Sequence, residues 1–206
     1  MVFRFFGVLP NDCIGALSDQ PGGATPINVQ VLDCTPVSAS LAPVPRTGQT
    51  TIYAAGDDGA LQKGVAWPTP RFTDNNNGTI TDNLTGLIWL KNASCFGTQV
   101  WDTVITSANG LANGQCGLSD GSVAGDWRLP NRHELESLLD LGTNNPPLPP
   151  GHTFINIRPA LYWSSTTFGA VGGSAFAWYV DILEDGRVNI LGKMNPLGVT
   201  AVRGGS

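Results

Sequence analysis

Between residues 176 and 182 the side chains alternate without a break. Phe176, Trp178, Val180 and Ile182 fall on one parity, and Ala177, Tyr179 and Asp181 on the other. A period of two marks a half-buried strand. Asp185-Gly186 then reads as a hairpin turn, because glycine accepts positive φ, and Val188 and Ile190 carry the return strand. Thr200 and Val202 suit a last strand, on the face opposite Val199 and Ala201. The expected end of the domain is an antiparallel meander with its loops at one rim.

The remainder of the chain is loop-rich. Only 13% of the 206 residues are charged, while glycine numbers 26 and proline 15. Hydrophobic residues make up 41%, enough for a core, so the length fits one full domain and a smaller appendage. The net charge is −5, with no run of Lys or Arg. Nucleic acid is thereby disfavoured as a partner, since phosphate neutralisation needs clustered cations, and so are anionic membrane surfaces. No stretch approaches the length of a spanning helix. The opening run Met1 to Pro10 resembles the remnant of an export signal, but it is too short for a complete one.

Four cysteines fall in two equally spaced pairs, Cys13 with Cys34 and Cys95 with Cys116. Neither pair has zinc-site spacing, and His133 and His152 lie far from both. The even count and the spacing point to two local disulfides and a location outside the cytoplasm; the alternative is four buried thiols.

Residues 1–45 form an N-terminal extension rich in Pro, Ser, Ala and Thr, with one short strand at Ile27, Val29 and Val31. Residues 46–206 form the main domain. Thr50 to Ala54 is assigned to a strand. Asn77-Gly78 predicts a hairpin with both central residues at positive φ. A calcium loop fails there on register, because Thr73 would fall on the first ligand position and Leu84 on the last. Asp82 to Gly86 is a second turn, leading into the apolar strand Leu87 to Leu90. Trp101, Val104, Ile105, Ala108, Leu111 and Ala112 fall at helical spacing, with Asn113-Gly114 as the stop. Asn131 caps a second helix and Glu134 completes a capping-box pattern. Leu135, Leu138 and Leu139 face the core, and Gly142 ends that helix. Capping and solvent-facing roles account for Glu134, Glu136 and His133 more simply than acid–base catalysis does.

Several words now stand in a fixed order: Phe72-Thr-Asp, Asn77-Gly-Thr-Ile-Thr-Asp-Asn-Leu-Thr-Gly-Leu-Ile-Trp, Trp127-Arg-Leu-Pro-Asn, Tyr162-Trp-Ser-Ser-Thr-Thr, Ala177-Trp-Tyr-Val and Val202-Arg-Gly-Gly. Over about residues 46–206 they resemble the Lcl C-terminal-domain-like family of exported bacterial proteins and some phage proteins. The resemblance implies an α+β, C-type-lectin-like fold: two helices packed on twisted antiparallel sheets, loop-rich, with loops and terminal strands presenting a ligand surface. Collagen-like adhesins of the family bind sulfated glycans. The family also supplies variable proteins of diversity-generating retroelements, whose adenine-directed rewriting of Asn codons cannot yield Lys, Glu, Gln, Met or Trp. Phe168 to Phe176, Asn189 to Gly192 and Asn195 to Ala201 contain none of these five types, and Asp181 and Leu183 comply. Glu184, Lys193 and Met194 do not. One departure from the family pattern is Val199-Thr200-Ala201, where relatives often carry an aromatic-Pro pair.

The division expected is a stiff frame with a changeable face. Trp89, Trp127, Trp163 and Trp178 are core anchors, and the Arg203 guanidinium binds carbonyls of neighbouring loops. The apolar candidates for ligand contact are Phe168, Val171, Phe176, Leu183, Leu191 and Leu197. The polar candidates are Ser174, Asp181, Asn189, Asn195 and Thr200. The leading expectation is a non-enzymatic, exported binding module without metal or cofactor, its partner a protein or glycan on a cell or phage surface. Alternatives are a carbohydrate- or sulfated-glycan-binding adhesin, and a structural or fibre-tip subunit; an oligomer is compatible with each. Calcium-dependent sugar binding is disfavoured, since Asn195-Pro196-Leu197 lacks a carboxylate and no Trp-Asn-Asp word occurs. Enzymatic relatives of the fold use a cysteine pair near the C-terminus, and no cysteine follows Cys116. Strand-end hydrogen bonding accounts for Ser164 and Ser165 without a nucleophile.

Overall fold

A computed structural model describes residues 44–158, 161–182 and 184–204. The Cys13–Cys34 pair, the strand at Ile27 to Val31 and Leu183 lie outside the described residues. The described chain is α+β, with two sheets, three helices and one 3₁₀ turn.

The first sheet comprises β1 (Phe72–Asp74), β2 (Thr79–Asp82), β3 (Ile88–Leu90) and β9 (Val202–Arg203), in the order β1-β2-β3-β9, antiparallel throughout. The second comprises β4 (Thr98–Gln99), β5 (Leu161–Thr167), β6 (Phe176–Asp181), β7 (Val188–Gly192) and β8 (Leu197–Gly198), in the order β4-β8-β5-β6-β7. The expected meander is present as β5-β6-β7, but it does not continue. β8 runs parallel to β5, and β9 leaves for the other sheet. Val199, Thr200, Ala201 and Val202 are all buried, so the expected alternation of faces is absent there. A segment crossing between two sheets is covered on every side.

The β1–β2 hairpin forms where expected, with a different turn. Positive φ falls on Asn76 (58°) and Gly78 (86°) instead of Asn77 and Gly78. Asp74 Oδ1 accepts from the Asn76 amide at 2.9 Å and Asn77 Oδ1 from the Thr79 amide at 3.2 Å. These side-chain turns lengthen the loop beyond the two-residue form. Thr50 to Ala54 forms no strand. The Asp57 carboxylate accepts the amides of Tyr53 and Ala54, at 2.7 and 2.9 Å, and caps helix α1 (Asp58–Leu61), removing donors a strand would need.

Helix α2 (Trp101–Asn109) stops at Gly110, earlier than Asn113-Gly114. Cys95 and Cys116 are bridged, clasping the two ends of this helical segment. Helix α3 (Arg132–Glu136) carries the full capping box of Asn131 and Glu134. It ends before Gly142, although Leu135, Leu138 and Leu139 are buried as expected. Gly142 lies so close to the backbone at Gly48 that an added Cβ would meet its carbonyl oxygen at 2.6 Å.

The core has two parts. One gathers Phe72, Ile80, Trp89, Leu135, Tyr162, Val180 and Val202; the other gathers Leu90, Val104, Trp127, Trp163, Ala177 and Val199. Trp89, Trp127 and Trp163 are wholly buried. Removing each from water is worth about 4–6 kcal/mol before side-chain entropy. The Asp82 carboxylate organises the first sheet from inside. It takes Arg71 Nε at 2.7 Å and Nη2 at 2.9 Å, the Leu84 amide and the Thr85 hydroxyl. Asp82→Ala leaves a buried guanidinium unpaired, for an expected loss of about 3–5 kcal/mol in urea unfolding; a loss below ~1 kcal/mol would contradict this role.

Candidate functional site

β5, β6 and β7 bring one end of the second sheet together: the end of β5, the start of β6 and the end of β7. The nine residues Phe168 to Phe176 span this rim as a loop tied by its own backbone. The Phe168 amide donates to Phe176 O at 2.9 Å and the Gly173 amide to Ala170 O at 2.7 Å. Gly172 takes φ 78°, which glycine tolerates, and leads into the 3₁₀ turn Gly173–Ala175. A Cβ on Gly173 would lie 2.6 Å from the Phe168 ring, so the absence of a side chain there lets the ring fold inward.

Residues opposed across the ladder share a face. Phe176, Trp178 and Val180 face one way with Ile190 and Val188. Ala177 and Tyr179 face the other way with Leu191 and Asn189. On the first face, Phe168 meets Trp178 edge-on at 5.8 Å, and the Arg132 guanidinium lies 4.2 Å over the Trp178 ring. On the second, Lys193 Nζ lies 3.8 Å over Trp101 and donates to Thr167 Oγ1 at 2.9 Å. The Lys193 amide donates to Ala175 O at 2.8 Å, locking the β7 exit to the loop.

Of the expected contact residues, Val171, Ser174, Phe176, Asn189 and Asn195 are exposed; Val171 is 108% exposed, as open as the isolated residue. Phe168 and Leu191 are half-buried: Phe168 underpins the loop, and Leu191 packs on the Trp163 side of the core. Asp181, Leu197 and Thr200 are buried and are withdrawn as contact residues. Asp181 closes the β6–β7 turn by accepting from the Glu184 amide, and Leu197 and Thr200 belong to the crossing segment. Trp178 is half-buried, so the expected core anchor is instead an aromatic platform at the rim. Arg203 pairs with the Asp120 carboxylate at 3.2 Å and lies over Trp127, in place of the expected loop carbonyls. A guanidinium beside a fully covered carboxylate gains more from charge than from a neutral carbonyl.

Met194, 82% exposed, and Ile190 also belong to this rim, as does Arg132. Ile190 was legible from its parity with Val188, whereas Arg132 sits in a distant helix and carries no sequence signal. Helix α3 places Arg132. Its Glu134 carboxylate takes both Arg128 terminal nitrogens, at 2.6 and 2.7 Å, and the Asn131 amide at 2.7 Å. Burial alone would raise the Glu134 carboxyl, but the Arg128 and Asn131 bonds outweigh it and hold it below its ordinary 4.5. Among the described residues, no three His, Cys, Asp or Glu side chains gather as a metal site.

Residues 78–203 match the family described as the Lcl C-terminal domain. Among curated proteins, none matches this chain.

A lowered carboxyl stabilises the fold above its unfolded pKa and loses that contribution as pH falls through the folded one. Glu134→Gln should therefore be less stable than the parent near neutral pH in urea unfolding, and the gap should close as pH falls below 4.5. A gap independent of pH would contradict the ion-pair role.

Proposed function

This chain belongs to the Lcl C-terminal domain family, and we propose that it serves as an exported, non-enzymatic recognition module. Its ligand face is the rim carrying Val171, Phe176 and Met194, flanked by Ser174, Asn189 and Asn195. The observation that carries this reading is Val171: a full-size apolar side chain in open solvent, on a loop whose shape is held by backbone bonds and glycines. Side chains on such a loop change without disturbing what holds it, which is the requirement for a variable protein of a diversity-generating retroelement. Apolar groups at a rim also suit a macromolecular surface, with protein the favoured ligand.

Export is supported by the Cys95–Cys116 bridge, which persists in oxidising compartments. Among the described residues no helix is long and apolar enough to cross a membrane. The non-enzymatic reading rests on Ser164, whose hydroxyl is buried and committed to Trp178 O at 2.8 Å, and on Glu134, committed to Arg128. Sulfated glycans would need free cations at the rim. Arg132 is paired with Glu136, Arg187 with Asp185, and Lys193 is held by Thr167 and Trp101.

Sibling chains from the same source should differ at Val171, Ser174, Phe176, Asn189 and Asn195 and agree at Asp181, Leu197 and Thr200. Differences spread evenly over both sets would refute the variable-face reading. In purified protein, Val171→Asp should change stability by less than about 0.5 kcal/mol, whereas Trp163→Ala should cost about 3–5 kcal/mol. Equal losses would remove the distinction between frame and face.

A further inference from the structure

A separate cavity of about 520 Å³ opens on the first-sheet side of the domain, within the size range of small-molecule sites. Arg46 and Arg71 both line it, and none of its lining residues belongs to the rim. Arg71 is 7% exposed and most of its guanidinium is committed. Nε and Nη2 bind Asp82, and Nη2 also donates to Ser137 O at 2.7 Å. Nη1 is buried and has no hydrogen-bond partner. Arg46 is less well provided for. Among the described residues it has no carboxylate partner, and its Nε is buried and unpartnered. Its side chain is held by a single contact, from Nη1 to Gln62 Oε1 at 3.4 Å, which is long for a hydrogen bond. Unpaired buried donors of a charged group are costly, and such sites are commonly completed by a ligand or ordered water.

The surroundings narrow the chemistry. The Arg46 amide donates to Val65 O at 3.1 Å, and its carbonyl accepts from Trp67 Nε1 at 2.9 Å. The cation and the indole are thereby fixed side by side. The Arg71 guanidinium lies 4.9 Å from the Trp67 ring centre, and four prolines continue the apolar wall. Asp82 is wholly buried and answers the charge of Arg71. Asp140 is 5% exposed, and its Oδ1 already accepts from the Gly142 amide at 2.8 Å. Burial holds His152 below its ordinary 6.5, so that ring brings no charge near neutral pH. Arg46 is therefore the lining cation that no carboxylate touches. A ligand carboxylate would replace the distant Gln62 oxygen with a charged acceptor, and charge-assisted bonds are shorter and stronger than neutral ones. A second negative charge is disfavoured, because Asp140 stands in the same wall and repels it. The indole and the prolines suit a flat apolar body behind that carboxylate.

We infer that this cavity is a second binding site, for a monocarboxylate carried on a flat apolar body. The carboxylate takes the place of Gln62 on Arg46, with Arg71 Nη1 as the further donor, while the apolar body lies on Trp67 and the prolines. Two sources carry this chemistry, a free aromatic acid and the C-terminal residue of a protein chain. The site stands apart from the rim, so its failure would leave the rim reading untouched.

The test is indole NMR of the full chain, titrated with benzoate for the free acid and with an N-acetylated tripeptide ending in phenylalanine for the chain end. Benzamide and the amidated tripeptide are the uncharged counterparts, and inorganic sulfate is the dianion. At least one carboxylate should shift the Trp67 signal saturably, with a dissociation constant of about 1 mM or tighter. Its amide counterpart and sulfate should each bind at least about tenfold more weakly, and the tighter of the two carboxylates identifies the source. Gln62→Glu supplies Arg46 with an internal carboxylate and should weaken the response by about tenfold without loss of stability in urea unfolding. Arg46→Gln should weaken it as much, and Val171→Asp at the rim should leave it unchanged. No saturable response to either carboxylate, an equal response to its amide, sulfate binding as tightly, or a response that survives either cavity substitution would overturn the assignment.

Discussion

The fold depends on the seven residues from Leu197 to Arg203, which join its two sheets. The run pairs with β4 and β5 as β8, then with β3 as β9. Arg128 and Val202 also exchange backbone hydrogen bonds, at 2.9 and 3.0 Å, tying the run to the segment that leads into α3. Val199, Ala201 and Val202 are wholly covered and contribute to both halves of the core. The last part of the chain is therefore a spine, and the part free to vary lies before it.

This arrangement explains which residues were legible in the sequence. The period of two from Phe176 to Asp181 gave a strand because successive side chains of β6, which lies between β5 and β7, point to opposite faces of the sheet. It did not give the inner face. Phe176 is exposed near the rim while Val180, on the same face, is wholly buried. Parity assigns a side; distance from the rim decides exposure. The same confusion affected Leu197 and Thr200. They pass a compositional filter for variable positions, yet their burial follows from pairing with strands about 35 and 110 residues away, which no local pattern records.

Local signals fared better wherever the physics is local. The Asn131–Glu134 box forms because both groups belong to one turn of helix, and the Cys95–Cys116 bridge because the turns that follow α2 double back toward the residues that precede it. Thr50 to Ala54 failed for an equally local reason: Asp57, only a few residues on, captures the amides first. Arg132 over Trp178 and the cavity beside Arg71 bring together groups that are distant in sequence, and only the packed structure joins them.

The central claim is that residues 197–203 are a rigid spine while the rim loop is backbone-tied but open. Native-state amide hydrogen exchange measures this directly. Amides from Gly198 to Val202 should exchange only with global unfolding, as slowly as that of Trp89, while those of Gly169, Val171, Gly172 and Met194 exchange faster by orders of magnitude. Exchange across 198–202 as fast as in the rim loop would contradict the account.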